Sequence, residues 1–350
     1  MARADGLKIG VVGATGVVGE ILLRALERRR FPVGELRPFS SGRDPKARVR
    51  FRGKPIPAPG ISEAALAACD LLFFVSSDEV SKARAERLAR AGVWVIDDSS
   101  AFRMQANVPL VIPEVNAHAL SAGARLIAGP NCTVTGAAVA GHPLHRAVGV
   151  RRVRMASYQA VSGAGREALR ELYAQARSSA KNLEGGDLFP RLAARRSSAL
   201  PRPIAFNIFP QVGSFRPGGE CGEEIKVRDE LRKIWGAPEL AISATTVRVP
   251  VVRGHSLALW LETARPLSPA RARALLKNKP GVRLWPEGEY PTPAEADGSD
   301  PVHVGRVRAS GAHPNELSLW VVSDNLLKGA ALNSVQIAEL LLKKGWLRAR

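Results

Sequence analysis

The sequence predicts an α/β fold in two parts: an N-terminal domain with a parallel sheet and crossover helices, then an α+β domain with a mainly antiparallel sheet. Three observations predict it. Strand and helix patterns alternate through the first third of the 350 residues, the signature of parallel strands joined by crossover helices. A glycine-spaced turn, Gly13-Ala14-Thr15-Gly16-Val17-Val18-Gly19, separates the first strand from the first helix. From Arg151 onward, longer stretches of alternating polarity replace that rhythm.

The first strand is the apolar run Leu7 to Val12, and an amphipathic helix, Val17 to Arg30, follows the turn. Glycines at this spacing permit positive φ and let backbone N–H groups approach a pyrophosphate at the start of a helix, where the dipole also favours anions. Strand before and helix after make this a Rossmann-type dinucleotide site, with Gly13, Thr15, Gly16, Val17 and Val18 as cofactor-binding candidates. The second strand, Glu35 to Phe39, ends in Ser40, Ser41, Gly42 and Arg43. NAD sites usually place an acidic residue near this point for the ribose 2′-hydroxyl. Here the hydroxyls of Ser40 and Ser41 with the guanidinium of Arg43 suit the 2′-phosphate of NADP, although the same residues are ordinary chemistry for a solvated turn.

Strands at Leu71 to Val75 and Val93 to Ile96 flank a helix near Val80 to Ala91. The Gly129-Pro130 turn then leads through Asn131-Cys132-Thr133 into a small-residue helix, Val134 to Val148. Val153 to Ala160, Ala241 to Val249, Ser256 to Thr263 and Leu317 to Val322 read as antiparallel strands. Helices near Gly165 to Ser179, Gly222 to Trp235 and Ser268 to Lys277 would cover one face, Lys181 to Pro203 reads as a mobile loop, and Leu326 to Trp346 as a long amphipathic helix.

Composition narrows the function classes. A chain of this length with 45% hydrophobic residues builds two substantial cores and reads as a soluble globular protein. No run approaches a membrane span and the start lacks an apolar signal core. Cys69, Cys132 and Cys221 are too few and scattered for a disulfide framework or a thiolate zinc site, so no metal is expected and a reducing, cytoplasmic location is. The net charge of +19 raises nucleic-acid binding. The arginines are spread, with short clusters at Arg28 to Arg30, Arg151 to Arg154 and Arg195 to Arg196 and no aromatic platform, so a solvated arginine-rich surface that steers anionic substrates is the expectation.

Cys132 is the candidate nucleophile. It follows Gly-Pro-Asn and precedes a helix, whose dipole and free N–H groups stabilise a thiolate. Cys69 and Cys221 lack that setting and read as small buried hydrophobes. Of six histidines, His255 stands out where a strand breaks at Gly254 and restarts, a geometry expected to expose it at a turn. The cation Arg248 nearby needs an acidic partner or ligand. The other five histidines read as packing or surface residues in helices and loops.

With these residues in view, the chain resembles the aspartate-semialdehyde dehydrogenase family over nearly its full length. The resemblance rests on GATGVVG, SSAFRM (Ser99 to Met104), VPLVIPEVN (Val108 to Asn116), GPNCTVT (Gly129 to Thr135) and YQAVSGAGR (Tyr158 to Arg166). AFNIFPQVGSF (Ala205 to Phe215), EEIK (Glu223 to Lys226), RVPVVRGHS and NLLKGAALNSVQIAELL (Asn325 to Leu341) continue it. It implies NADPH-dependent reductive dephosphorylation of L-aspartyl-4-phosphate to L-aspartate 4-semialdehyde and inorganic phosphate, a step of lysine, threonine and methionine biosynthesis. By the same resemblance Cys132 is the nucleophile, His255 the general acid/base and Gln159 the residue that orients the acyl intermediate. Arg248 would bind the substrate carboxylate, Glu223 the α-ammonium, and Arg103 with Lys226 the phosphate. Ser162, Gly163 and Asn325 would bind the cofactor, Asn325 on the nicotinamide side.

The resemblance further implies a discontinuous division, residues 1–131 plus 325–350 as the NADP-binding domain and 132–324 as the catalytic and dimerisation domain, in a homodimer without nucleic-acid or membrane partners. The chain departs from the family at Val75-Ser76-Ser77-Asp78-Glu79, where many members have Ser-Ala-Gly-Gly-Ser, and at Asp97-Asp98-Ser99-Ser100, where Asp-Asn-Ser-Ser is common. N-acetyl-gamma-glutamyl-phosphate reductase shares the dinucleotide turn and a cysteine nucleophile, but GPNCTVT and RVPVVRGHS fit the aspartyl enzyme better. A catalytically silent paralogue acting as a binding protein is the alternative from another class, and retention of all seven expected site residues argues against it.

Overall fold

The computed structural model describes residues 6–186 and 197–349. They fall into two compact units: the described residues of Met1–Asn131, Lys233–Ala237 and Leu326–Arg350, and those of Cys132–Arg232 and Pro238–Asn325.

The first unit runs β1 (Leu7–Val12), α1 (Val17–Arg28), β2 (Val33–Phe39), β3 (Arg48–Phe51), β4 (Lys54–Pro57), α2 (Glu63–Ala67), β5 (Leu71–Phe74), α3 (Asp78–Arg90), β6 (Trp94–Asp97), α4 (Pro113–Asn116) and β7 (Leu126–Ala128). Five strands form a parallel sheet in the order β2-β1-β5-β6-β7. The sheet is covered on both faces, so β5, Leu-Leu-Phe-Phe, is buried at every position. Helix α1 buries Leu22, Leu23 and Leu26 and packs close to the turn that precedes it. Gly13 there has φ +89°, and a Cβ on Gly19 would stand 2.4 Å from the Gly13 carbonyl oxygen, so neither position admits a side chain. The hairpin β3–β4 turns through Arg52 and Gly53, both at positive φ.

The C-terminal stretch of this unit differs from the uninterrupted helix expected over Leu326 to Trp346. Leu327–Ala331 is π-helical, Leu332–Lys343 is α-helical, and Trp346 lies beyond it. Within the wide turn Lys328 is fully buried, its Nζ 2.6 Å from Glu114 Oε2, 2.6 Å from Gln336 Oε1 and 3.3 Å from Asn333 Oδ1. A buried ammonium is tolerated because it is paired and hydrogen-bonded.

The second unit contains α5 (Cys132–Val148), β8 (Val150–Gln159), α6 (Arg166–Glu184), α7 (Gly222–Trp235, whose last turn belongs with the first unit), β9 (Ala241–Arg248), β10 (His255–Thr263), α8 (Pro269–Leu276), β11 (Val282–Leu284), α9 (Pro293–Ala296), β12 (Val302–Ala309) and β13 (Glu316–Ser323). The six-stranded sheet has the order β11-β12-β13-β10-β8-β9. The three central pairings are antiparallel, but β8–β9 and β11–β12 are parallel, which corrects the antiparallel expectation for Ala241 to Val249. The long connection through α6 and α7 returns the chain in the direction of β8, as a crossover does.

The expected loop Lys181 to Pro203 begins later than predicted, because α6 continues to Glu184. Residues 187–196, including the Arg195 to Arg196 cluster, lie outside the described residues. Where the chain re-enters, Glu171 accepts from the backbone N–H groups of Ser198 and Ala199, and Gln175 Oε1 from those of Ile204 and Ala205. These bonds tie the segment to α6 over a core of Val161, Ala168, Leu172, Ile204 and Phe209. His303 departs from the helix-or-loop expectation: it is buried in β12, accepting from Trp285 Nε1 at 3.1 Å.

Two details separate these units from the division expected from sequence. Asn325 groups with the second unit, where its Oδ1 accepts from the Gly254 N–H at 2.9 Å. Lys233 groups with the first, where Nζ donates to the carbonyls of Arg103, Gln105 and Val108.

Candidate active site

Cys132 opens α5, and His255 opens β10. Sγ of Cys132 lies 3.4 Å from Nε2 of His255. The expectation that His255 is exposed at a turn is corrected: it is 1% exposed, because the strand begins at this residue and faces inward. The N–H of Ala160 donates to His255 Nδ1 at 3.1 Å, which assigns the neutral ring its proton on Nε2, facing the sulfur. Burial, reinforced by the Arg248 guanidinium, pushes the imidazole well below its usual value and keeps it neutral.

Arg248 ends β9 and is buried, with Nη1 donating to the Ala160 carbonyl at 2.6 Å. Burial lowers its pKa, opposed by the charges of Cys132 and Glu223. The carboxylate of Glu223, in the first turn of α7, accepts from Gln159 Nε2 at 3.0 Å and from Thr133 Oγ1 at 3.2 Å, both through Oε1. Its Oε2 lies 3.9 Å from Lys226 Nζ, one turn along the same helix. Gln159 ends β8, and its Oε1 accepts from Ser157 Oγ at 3.0 Å. Thus Cys132, His255, Gln159, Glu223, Lys226 and Arg248 come together in one unit. Sequence reasoning does not single out Thr133 and Ser157. Their signals are positional: one follows the nucleophile, and the other shares a strand face with Gln159 at period two.

Gly163 packs against this cluster: a Cβ there would stand 3.3 Å from both Arg248 Nη1 and His255 Cε1. Ser162 and Asn325 are buried together, Asn325 Nδ2 donating to Ser162 Oγ at 3.0 Å.

The remaining candidates belong to the first unit. Gly16 caps α1 without a side-chain acceptor, so the amides at the start of Val17, Val18 and Gly19 face no capping side chain. With Gly13 leaving no room for a Cβ, this turn fits a dinucleotide phosphate. Thr15 lies in the same turn. Ser40 is buried and its Oγ accepts from the Gly42 N–H at 3.1 Å, so it shapes the turn, whereas Ser41 and Arg43 are exposed. Arg103 is buried, with Nη2 donating to the Asp98 carbonyl at 2.7 Å.

Both departures from the family pattern acquire partners here. Asp78, in the first turn of α3, accepts from the N–H of Ser100 at 2.8 Å and from its hydroxyl at 2.5 Å, linking the changed segment to the Ser99-Ser100 stretch. Asp98 Oδ1 accepts from Ser334 Oγ at 2.5 Å, and burial pushes the Asp98 carboxyl up to about 7.

Comparison with known proteins places this geometry. The family model "Semialdehyde dehydrogenase, NAD binding domain" matches residues 8–123, and "Semialdehyde dehydrogenase, dimerisation domain" matches residues 142–328. An aspartate-semialdehyde dehydrogenase of Synechocystis sp. is 41% identical over 344 residues, covering 97% of this chain and 99% of its own. The chain belongs to the aspartate-semialdehyde dehydrogenase family. Another aspartate-semialdehyde dehydrogenase, from Streptomyces akiyoshiensis, is 43% identical over 347 residues, covering 96% and 98% of the two chains. The crystal structure of aspartate semialdehyde dehydrogenase II complexed with ASA from Vibrio cholerae superposes with TM-score 0.90 at 38% identity, covering 97% and 98%. The aspartate-semialdehyde dehydrogenase reading thus stands over the acetylglutamyl reductase and the silent paralogue, and the chain is an NAD(P)-dependent oxidoreductase of amino-acid biosynthesis. No helix among the described residues is long and apolar enough to cross a membrane.

Proposed function

We propose that the chain reduces L-aspartyl-4-phosphate to L-aspartate 4-semialdehyde and phosphate with NADPH, through a thioester on Cys132. The observation that carries the mechanism is the 3.4 Å approach of Cys132 Sγ to His255 Nε2 at the start of a helix. The helix N-terminus and the Nε2–H both favour the thiolate. The thiolate attacks the acyl carbon, the bond from that carbon to the phosphate oxygen breaks, and phosphate leaves with the bonding pair. Lys226 supplies positive charge for the departing phosphate, and Arg103 is assigned the same role on the resemblance. Bound NADPH supplies hydride. The Nε2–H of His255 then stabilises the oxyanion that develops at the former acyl carbon, and as its carbonyl re-forms the carbon–sulfur bond breaks, which releases the aldehyde and returns the thiolate of Cys132.

Arg248 binds the α-carboxylate of the substrate, Glu223 its α-ammonium, and Gln159 orients the acyl group. The cofactor lies on Gly13, Thr15, Gly16, Val17 and Val18, with Ser41 and Arg43 on the 2′-phosphate and Ser40 shaping the turn behind them. Ser162, Gly163 and Asn325 serve the nicotinamide side, Gly163 by leaving room for Arg248 and His255. The first unit is the NADP-binding domain and the second the catalytic and dimerisation domain of a homodimer; the matched dimerisation model supports the assembly. Cys69, Cys132 and Cys221 all carry free thiols, in keeping with a reducing cytoplasm.

The test is phosphate-dependent NADP reduction with L-aspartate 4-semialdehyde, run beside N-acetyl-glutamate 5-semialdehyde. Turnover with the aspartyl compound supports the reading; turnover with the acetylated one alone overturns it.

A further inference from the structure

We infer that the β3–β4 hairpin is an electrostatic guide for the cofactor, its exposed cations drawing the 2′-phosphate of NADPH toward the turn Ser40 to Arg43. This role rests on the proposed reading of that turn and deepens it. The hairpin grows directly out of the turn. The Ser40 N–H donates to the Pro59 carbonyl at 2.8 Å, Ser40 and Gly60 form a parallel bridge, and the Ala58 N–H closes on the Ala47 carbonyl at 2.8 Å. Both ends of the excursion thus meet beside the residues assigned to the 2′-phosphate, and a Cβ on Gly42 would stand 3.4 Å from Gly60 Cα. The N–H groups of Gly13 and Ala14 bond the Phe39 carbonyl at the end of β2, so the dinucleotide turn lies at the same edge of the sheet.

Residues 43–60 hold six cations, Arg43, Lys46, Arg48, Arg50, Arg52 and Lys54, against one carboxylate, Asp44. That is a far higher density of positive charge than +19 over the 350 residues of the chain. Placement keeps it uncancelled. Val49 and Phe51 alternate inward and are buried, which turns Arg48 and Arg50 to the solvent face, about 7 Å apart along the strand. Across the ribbon they face Pro57 and Pro55, at positions where an acidic residue would pair with them. Asp44 and Glu27 accept from the backbone N–H groups of Lys46 and Arg52. Arg48 and Arg50 make no ion pair among the described residues. Cations carried this way on one ribbon face act on the approach of an anion, so their effect appears in the association rate and weakens as salt shortens the Debye length. NADPH carries a phosphate that NADH lacks, and the pull on it is correspondingly larger.

The experiment measures association of NADPH and of NADH by stopped flow, through energy transfer from protein tryptophan to the reduced nicotinamide, between about 0.01 M and about 0.5 M salt. Arg48→Ser/Arg50→Ser is compared with native protein and with Lys343→Ser/Lys344→Ser. The second variant removes the same charge at the opposite end of the same sheet: Lys344 lies over the Trp346 ring, and the Trp346 carbonyl accepts from Nε1 of Trp94, the first residue of β6. All four positions are exposed, so the substitutions spare the core. At low salt Arg48→Ser/Arg50→Ser is expected to lower the NADPH association rate constant by about 3- to 10-fold, with a smaller loss for NADH and an unchanged dissociation rate. The loss should vanish at high salt, and Lys343→Ser/Lys344→Ser should associate at close to the native rate. An unchanged association rate in Arg48→Ser/Arg50→Ser, an equal loss in both variants, or a loss that persists at high salt overturns the inference. Native protein that fails to bind NADPH would instead overturn the cofactor reading beneath it.

Discussion

The cluster around Cys132 and the turn Ser40 to Arg43 are both motif-bearing segments, yet the fold treats them in opposite ways. In the cluster His255, Gln159, Glu223 and Arg248 are each under 7% exposed, and each is held by bonds to backbone or to a neighbouring side chain. In the turn only Ser40 is buried, while Ser41 and Arg43 lie in solvent. Buried polar groups must be paired, and pairing fixes direction; exposed ones keep their freedom and are screened by water and salt. The difference teaches where single substitutions act strongly: on the orientation of chemical groups in the cluster, and only weakly on affinity at the turn.

His255→Ala should break the cluster's side of the comparison most severely. Removing the ring that approaches Cys132 Sγ at 3.4 Å is expected to lower kcat/KM by about 10²- to 10⁴-fold. The native pH profile sharpens the point. Since His255 titrates well below its ordinary value, activity should not decline as pH falls through that value, and the neutral ring persists to more acidic conditions. The same shift makes protonation of the buried ring unfavourable, so its contribution to stability is present above the ordinary histidine value and is lost as pH falls below it. A rate profile that falls with an ordinary histidine midpoint would refute this assignment.

Arg248→Lys comes next. It retains charge but loses the planar fork that binds the Ala160 carbonyl and would clasp a carboxylate. A loss of about 30-fold or more, equivalent to ~2 kcal/mol, is expected in KM for the amino-acid substrate, with a smaller effect on KM for NADPH. Steady-state kinetics with both substrates varied separate the two.

Asp98→Asn asks whether burial, rather than the unit a residue belongs to, decides the outcome. Burial raises the Asp98 carboxyl to about 7, so the folded protein holds a proton that the unfolded chain releases from its ordinary carboxylate value upward. Stability therefore falls as pH rises between those two values. Asparagine at this position is expected to raise Tm at pH 8 relative to native and to leave little advantage at pH 4. Asp97, also raised by burial, preserves part of the native slope. Equal Tm differences at both pH values would remove Asp98 as the source.

Arg43→Ala should be the mildest change. A single exposed cation at a phosphate is expected to alter KM for NADPH by only about 2- to 5-fold, and the difference should shrink as salt rises. A loss as large as that of Arg248→Lys would erase the distinction drawn here.

Much of this was legible in the sequence, for physical reasons that differ by element. The glycine turn declares itself because Gly13 and Gly19 leave no room for a Cβ, so backbone geometry and residue identity are tied together. Cys132 was readable from its place at a helix start, and β5 from an unbroken apolar run. The direction of β9 was not legible, since strand polarity pattern is blind to whether its neighbour runs parallel. Nor was the burial of His255, because a glycine break before a strand looks the same whether the next side chain faces in or out. The π turn at Leu327–Ala331 and the Ser157–Gln159–Glu223 chain depend on partners distant in sequence, which no local pattern records.

The central claim is that Cys132 becomes acylated. Mass spectrometry of intact protein and its peptides, after incubation with L-aspartyl-4-phosphate without reduced cofactor, tests it directly. An aspartyl adduct confined to the Cys132 peptide, absent from Cys132→Ala, is the expected result. An adduct elsewhere, or undiminished turnover by Cys132→Ala, would contradict it.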